Sequence, residues 1–136
     1  DNLSFLIGKW KSDEVSYSQG RETPFVCHSD GQWVLRGRFV QLSERFELFG
    51  QRYENQFLLS EEGEAIRAWW FSSSSPLPVQ FEGKASTKGM VLISQNPHLR
   101  LTFDRQTADH FLVRLESKAD TSWQLMTKAD YRRVKE

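Results

Sequence analysis

From residue 9 onward, apolar and polar side chains of this chain alternate with a period of two. LRLTFD (99–104) sets Leu99, Leu101 and Phe103 against Arg100, Thr102 and Asp104. VQFEGKA (79–85) sets Val79, Phe81 and Gly83 against Gln80, Glu82 and Lys84, and WQLMTKADY (123–131) puts Trp123, Leu125, Thr127, Ala129 and Tyr131 on one side. Successive side chains of a strand point to opposite faces, so this pattern means half-buried strands with one face to a core and one to water. The one helical candidate is short: Asn2 is placed to cap a turn from Leu3 to Ile7, with Gly8 ending it.

Turn signals recur about every ten residues. They are Gln19-Gly20, Asp30-Gly31, Glu62-Gly63, Lys88-Gly89, Asn96-Pro97, Ala108-Asp109 and Ala119-Asp120. Each offers Gly, Asn, Asp or Pro where a tight turn needs special backbone angles. Ten strands follow, at 9–18, 22–30, 32–42, 46–60, 64–72, 78–86, 89–95, 98–104, 109–117 and 121–133. Hairpin-joined strands of this kind predict an all-β, up-and-down antiparallel β-barrel of eight to ten strands, with a β-sandwich as the competing architecture. SSSSPLP (72–78) reads as a long loop rather than an interdomain linker, because each half would carry only a marginal core. Residues 1–136 are therefore expected to form one domain.

Charge and composition remove several function classes. Lys plus Arg and Asp plus Glu are 18 each, so the chain is formally neutral and lacks the basic field of a nucleic-acid binder. No apolar run approaches the ~18 residues of a membrane helix, and the charged faces of strands 98–104 and 109–117 oppose an outer-membrane barrel. The single cysteine, Cys27, cannot form an intramolecular disulfide, which favours a cytoplasmic setting. A processed periplasmic or secreted form is compatible with the missing initiator Met. His28, His98 and His110 share no metal-ligand spacing, so neither metal nor cofactor is expected.

The run Leu6-Ile7-Gly8-Lys9-Trp10, after a short turn, and the ending Tyr131-Arg132-Arg133 resemble the calycin superfamily, and within it small bacterial lipocalin-like, fatty-acid-binding-protein-like barrels. The resemblance implies that Trp10 plugs the closed end and that an arginine of the last strand, Arg133, stacks across it. SYSQGRET is too short for a two-helix lid, and KSDEVSY stands where haem-binding relatives carry a glycine-rich run. An even strand count brings the last strand back to the rim where the first begins, so Arg132 or Arg133 should lie within ~6 Å of the Trp10 ring.

With Trp10 at the bottom, the mouth loops fall near 18–21, 43–45, 72–78, 95–98 and 117–120, and SSSSPLP becomes a candidate gate below which Trp70 sits. Parity points Trp33, Phe39, Phe81, Phe103, Phe111, Trp123 and Tyr131 inward, either lining a pocket or filling the barrel. Ser12, Glu14 and Ser16 share the parity of Trp10, and a buried Glu14 could orient a ligand or act as an acid or base. His98 is a candidate contact at the mouth, and Arg36 and Arg38 are the arginines best placed to turn inward toward a carboxylate. The leading expectation is a binding module for a small hydrophobic or aromatic molecule. The alternatives are a barrel enzyme of isomerase, cyclase or lyase type using Glu14, for which no catalytic set is evident, and a filled barrel acting as an interaction domain. The oligomeric state is not legible.

Overall fold

A computed structural model describes residues 1–135, and Glu136 lies outside the described residues. Ten antiparallel strands close into a barrel: β1 (Gly8–Ser18), β2 (Arg21–Val34), β3 (Phe39–Leu48), β4 (Gln51–Glu62), β5 (Ala65–Ser72), β6 (Ser75–Ser86), β7 (Gly89–Gln95), β8 (His98–Thr107), β9 (His110–Ala119) and β10 (Ser122–Arg133). Each strand pairs with its neighbours in sequence, and β1 pairs with β10 to complete the ring. No edge is left along the closing seam, where seven residue pairs run from Trp10↔Arg133 to Ser16↔Thr127. The all-β up-and-down barrel expected from the alternation is thus the observed fold, and a sandwich is not.

The strand boundaries shift in the second and third hairpins. Asp30-Gly31 is not a turn but the interior of β2, which runs on to Val34. The chain reverses instead at Leu35, Arg36 and Gly37, all with positive φ (51°, 61° and 80°). It reverses again at Phe49-Gly50, with φ of 53° and 75°, the two-positive-angle geometry that suits a two-residue hairpin. The mouth turn expected at 43–45 therefore lies at 49–50, and Glu44 lies inside β3. SSSSPLP is not a long loop either: β5 ends at Ser72 and β6 begins at Ser75, leaving a two-residue turn. Pro76 and Pro78 sit where β6 overhangs the short β7, whose pairing with β6 begins only at Glu82↔Ile93. A proline there removes no ladder bond on that side.

The N-terminal segment seals one end. A 3₁₀ turn, Ser4–Leu6, is tied down by the Asp1 carboxylate, which accepts the Leu3 and Ser4 N–H groups (3.0 and 2.9 Å), so Asp1 rather than Asn2 does the capping. Leu3 and Leu6 are fully buried. Phe5 packs edge-on against Phe111 at 5.4 Å, and Phe111 in turn meets Trp10 at 4.7 Å and stacks on Tyr131 at 4.5 Å. Trp10 donates its indole N–H to the Leu6 carbonyl at 3.0 Å.

Arg133 stands with its guanidinium carbon 4.3 Å from the Trp10 ring centroid. It also donates to the carbonyls of Ile7 (2.6 Å) and Ala108 (3.0 Å) and to Asp109 Oδ1 (2.9 Å). One side chain thus fastens the N-terminal segment, the β8–β9 turn and the last strand together. Arg133→Met keeps the aliphatic stem but loses these bonds and the cation–π contact, and is expected to cost about 2–3 kcal/mol. Arg132→Met, at a side chain 66% exposed with one surface ion pair, should cost under about 0.5 kcal/mol. Urea unfolding of both variants measures the difference, and equal stabilities would remove Arg133 from this role.

Candidate functional site: an acidic cavity inside the barrel

A cavity of about 410 Å³ occupies the lumen above the closed end. Its walls are chiefly apolar, from Leu42 and Phe57 to Leu101, Phe103 and Val113. It reaches solvent at the end opposite Trp10, where the lining residues Phe49 and Met126 are 71% and 38% exposed. Among the described residues, the lining includes two carboxyls, Glu14 and Glu44, and no lysine, arginine or histidine.

Strand register assembles the polar floor. Alternation along β1 turns Trp10, Ser12 and Glu14 to the interior, and cross-strand pairing sets Tyr131 on one side of Ser12 and Cys27 on the other. One pair further down, Ser29 of β2 lies opposite Glu44 of β3. The side chains then connect. Ser12 Oγ donates to Glu14 Oε2 at 2.6 Å, while Ser29 Oγ (3.3 Å) and the Tyr131 hydroxyl both donate to Glu44 Oε2. Cys27 Sγ lies 3.7 Å from Ser29 Oγ. Ligand atoms of Glu14, Cys27 and Glu44 all fall within 4.8 Å of one another, a donor set able to gather around a cation.

Burial governs the protonation of this cluster. Glu14 is pushed up to about 8, first by loss of hydration and then by the neighbouring Glu44 charge. Burial raises Glu44 as well, and the Ser29 and Tyr131 hydrogen bonds work against that rise. Both carboxyls are therefore biased toward the protonated form, and Glu14 keeps its proton near neutral pH. Cys27 and Tyr131 are both driven upward by burial and by the carboxyls. That is the reverse of what a nucleophilic thiolate requires.

The expected site residues divide into three groups. Glu14, Trp70, Phe103 and Tyr131 line the cavity. Phe81 and Phe111 point inward but are packed in the core, 0% and 1% exposed, away from the cavity lining. The rest lie elsewhere. Trp33 is at the closed-end rim, 38% exposed, and Arg36 and Arg38 sit on the exposed closed-end turn, so neither arginine reaches the lumen. Phe39 follows that turn with reversed parity and packs on Trp69, because the next residue, the fully buried Val40, takes the interior face. Trp123 faces outward beneath Arg100, 4.5 Å from its ring, and His98 meets Trp123 edge-on at 5.1 Å outside the barrel. A bulge between Leu125 and Thr127 flips the parity of β10 and accounts for this.

Cys27, Ser29, Glu44, Asn55 and Phe57 were not singled out as site residues by sequence. Asn55 Oδ1 and Trp70 Nε1 are buried polar atoms without a hydrogen-bond partner among the described residues, and both residues line the cavity.

No family model matches the sequence, and no curated protein matches it. Among solved structures, the crystal structure of Rv2717c from M. tuberculosis superposes with a TM-score of 0.79 at 15% identity, covering 98% of this chain and 95% of that one. The likeness is one of fold.

Proposed function

We propose that this chain is a binding barrel that takes up a small, largely apolar molecule through the end opposite Trp10. The observation that carries the reading is the cavity of about 410 Å³, walled by aromatic and aliphatic side chains and continuous with solvent at Phe49 and Met126. Pockets of roughly 300–1,000 Å³ with a few convergent polar groups are the usual form of a small-molecule site. A side-chain-filled interaction module would lack that space. Among the described residues, no cationic side chain lines the lumen to neutralise an anionic head group, so a free carboxylate of the fatty-acid kind is disfavoured here.

An acid–base enzyme on the same barrel has one specific observation in its favour. Glu14, held near 8 beside Glu44 and Tyr131, is a carboxyl able to give and take a proton around neutral pH. Binding remains the stronger reading, because it needs only the cavity, whereas an enzyme needs a reacting geometry as well.

The neutral fluorophore N-phenyl-1-naphthylamine tests the reading. It should bind saturably at one site, with brighter and blue-shifted emission. Ala129→Trp, which fills the lumen from β10, should abolish that signal, whereas Val91→Trp on the 45% exposed outer face of β7 should leave it intact. No binding, or equal binding by both variants, would reject a lumenal site.

A further inference from the structure

We infer that the lumen selects a protonated amine, seating the ammonium between Glu14 and Glu44, with a hydrogen-bonding oxygen at the far end of the ligand directed to Trp70. This rests on the lumenal binding reading above and names the ligand class for it.

The first argument is the charge of the cavity. Two carboxyls converge within 4.8 Å in a space whose described lining carries no cation. Two buried acidic groups so close cannot both ionise without a counter-charge. A compact ammonium with two or three N–H donors supplies that charge and donates to both carboxyls at once. A neutral alcohol replaces one hydrogen bond but no charge, and a carboxylate adds a third negative group.

The second argument comes from other strands. Trp70 Nε1 is a buried donor, and Asn55 Oδ1 a buried acceptor, each without a partner among the described residues. Asn55 on β4 faces Glu44 across the β3–β4 ladder, and Trp70 on β5 faces Phe57 one strand further round the wall from Glu14 on β1. Buried polar groups are normally paired, so these two are ready to meet polar atoms of something entering the lumen. A hydroxyl suits both, since it can accept from the indole and donate to the amide. The rest of the lining is chiefly apolar, with the Phe57 and Trp70 rings stacked at 5.8 Å. The ligand described is an aryl-alkyl amine with a distal hydroxyl.

A metal ion is the competing occupant of Glu14, Cys27 and Glu44. The lumen argues for the organic cation, because a bare ion would leave the apolar space empty and the Trp70 indole N–H unpaired.

The decisive experiment titrates four probes of one shape into the intact protein at pH 6, 7 and 8: tyramine, phenethylamine, 4-(2-hydroxyethyl)phenol and 4-hydroxyphenylacetate. At pH 8, tyramine should bind at least about tenfold tighter than the alcohol, as expected for charge-assisted hydrogen bonds, and about a hundredfold tighter than the acid. Phenethylamine, without the hydroxyl, should be several-fold weaker than tyramine. The advantage of amine over alcohol should grow from pH 6 to pH 8. Burial holds the Glu14 proton up to about 8, and the other titratable groups facing it (Glu44 of β3, Cys27 of β2 and Tyr131 of β10) are raised as well, so the negative charge that an ammonium answers is gained as the pH rises. Glu14→Gln and Glu44→Gln, checked for retained fold by circular dichroism, should both erase the advantage.

Equal or tighter binding of the alcohol or the acid overturns the inference. So does a divalent cation such as Zn²⁺ that saturates the same carboxyls at micromolar concentration and excludes tyramine. If N-phenyl-1-naphthylamine still binds in either case, the lumenal reading stands and only the ligand class is lost. If it fails as well, both fall.

Discussion

Raising the pH from 5 to 9 should strip this barrel of several kcal/mol of stability, and Glu14→Gln should remove most of that loss. The unfolded chain releases the Glu14 proton near 4.5, whereas the folded barrel holds it until about 8. Between those values the folded state binds a proton that the unfolded state has already lost. Stability therefore falls as pH rises, by at most about 1.4 kcal/mol per pH unit for one such group. The contribution is fully present below 4.5 and gone above about 8. Glu44, raised by the same burial, bends the curve in the same direction. A glutamine at position 14 keeps the volume and an acceptor for Ser12, has no charge to desolvate, and relieves Glu44 of a neighbouring carboxylate. The variant should thus be the more stable protein at pH 9 and close to the parent at pH 5. Urea unfolding followed by tryptophan emission at pH 5, 7 and 9 reads this directly. Parallel stability profiles for parent and variant would show that Glu14 titrates normally, and would take the lumenal charge argument with them.

Much of this architecture is legible from alternation alone, and the places where it fails share a physical cause. A period-2 pattern reports which residues share a face only while the strand stays regular. β10 reads as one uninterrupted strand, yet its bulge between Leu125 and Thr127 inverts everything upstream, and so Trp123 lands outside against Arg100. Bulges insert a residue without a compositional mark, so nothing in WQLMT betrays this one. Asp30-Gly31 has the composition of a hairpin turn, but here glycine serves a close approach instead. The true reversals set Leu35, Arg36 and Phe49 at positive φ beside Gly37 and Gly50, so most of their turn residues carry no turn signature.

The acidic floor illustrates the same limit from the other side. Glu14 follows from its parity with Trp10, which held because β1 pairs without interruption to β2. Glu44 was hidden by a misplaced turn. Its strand reads Val40, Leu42, Glu44, Phe46, Leu48 on one face, an apolar stripe with one carboxyl in it, and that was the available signal. No rule of spacing, however, joins Glu14, Cys27 and Glu44, because three strands bring them together by register. Sequence proximity is silent about register between strands until the turns are placed correctly.

Gly31→Ala should be among the most damaging single-methyl changes in the chain, costing about 3 kcal/mol or more. A Cβ built there falls 1.9 Å from the Leu6 carbonyl oxygen and 2.9 Å from its carbon, both of them backbone atoms with no side-chain torsion to relieve the contact. That carbonyl is the acceptor of the Trp10 indole N–H. Pushing it away leaves a buried donor unpaired and lifts Leu3 and Leu6, both fully buried, off the closed end. Trp10 then loses the neighbour that fixes its ring beneath Arg133. Gly50→Ala is the informative control. Gly50 has φ of +75°, and its added methyl meets nothing within 4 Å, so only backbone strain of about 1 kcal/mol opposes it. Thermal unfolding should therefore separate the two alanine variants widely, with Gly31→Ala the lower. Selective loss of protection from hydrogen exchange at the Trp10 indole N–H in Gly31→Ala would locate the damage at the plug. A Gly31→Ala protein as stable as Gly50→Ala would mean that the N-terminal turn does not sit tightly on β2. In that case Trp10 would close the barrel without it.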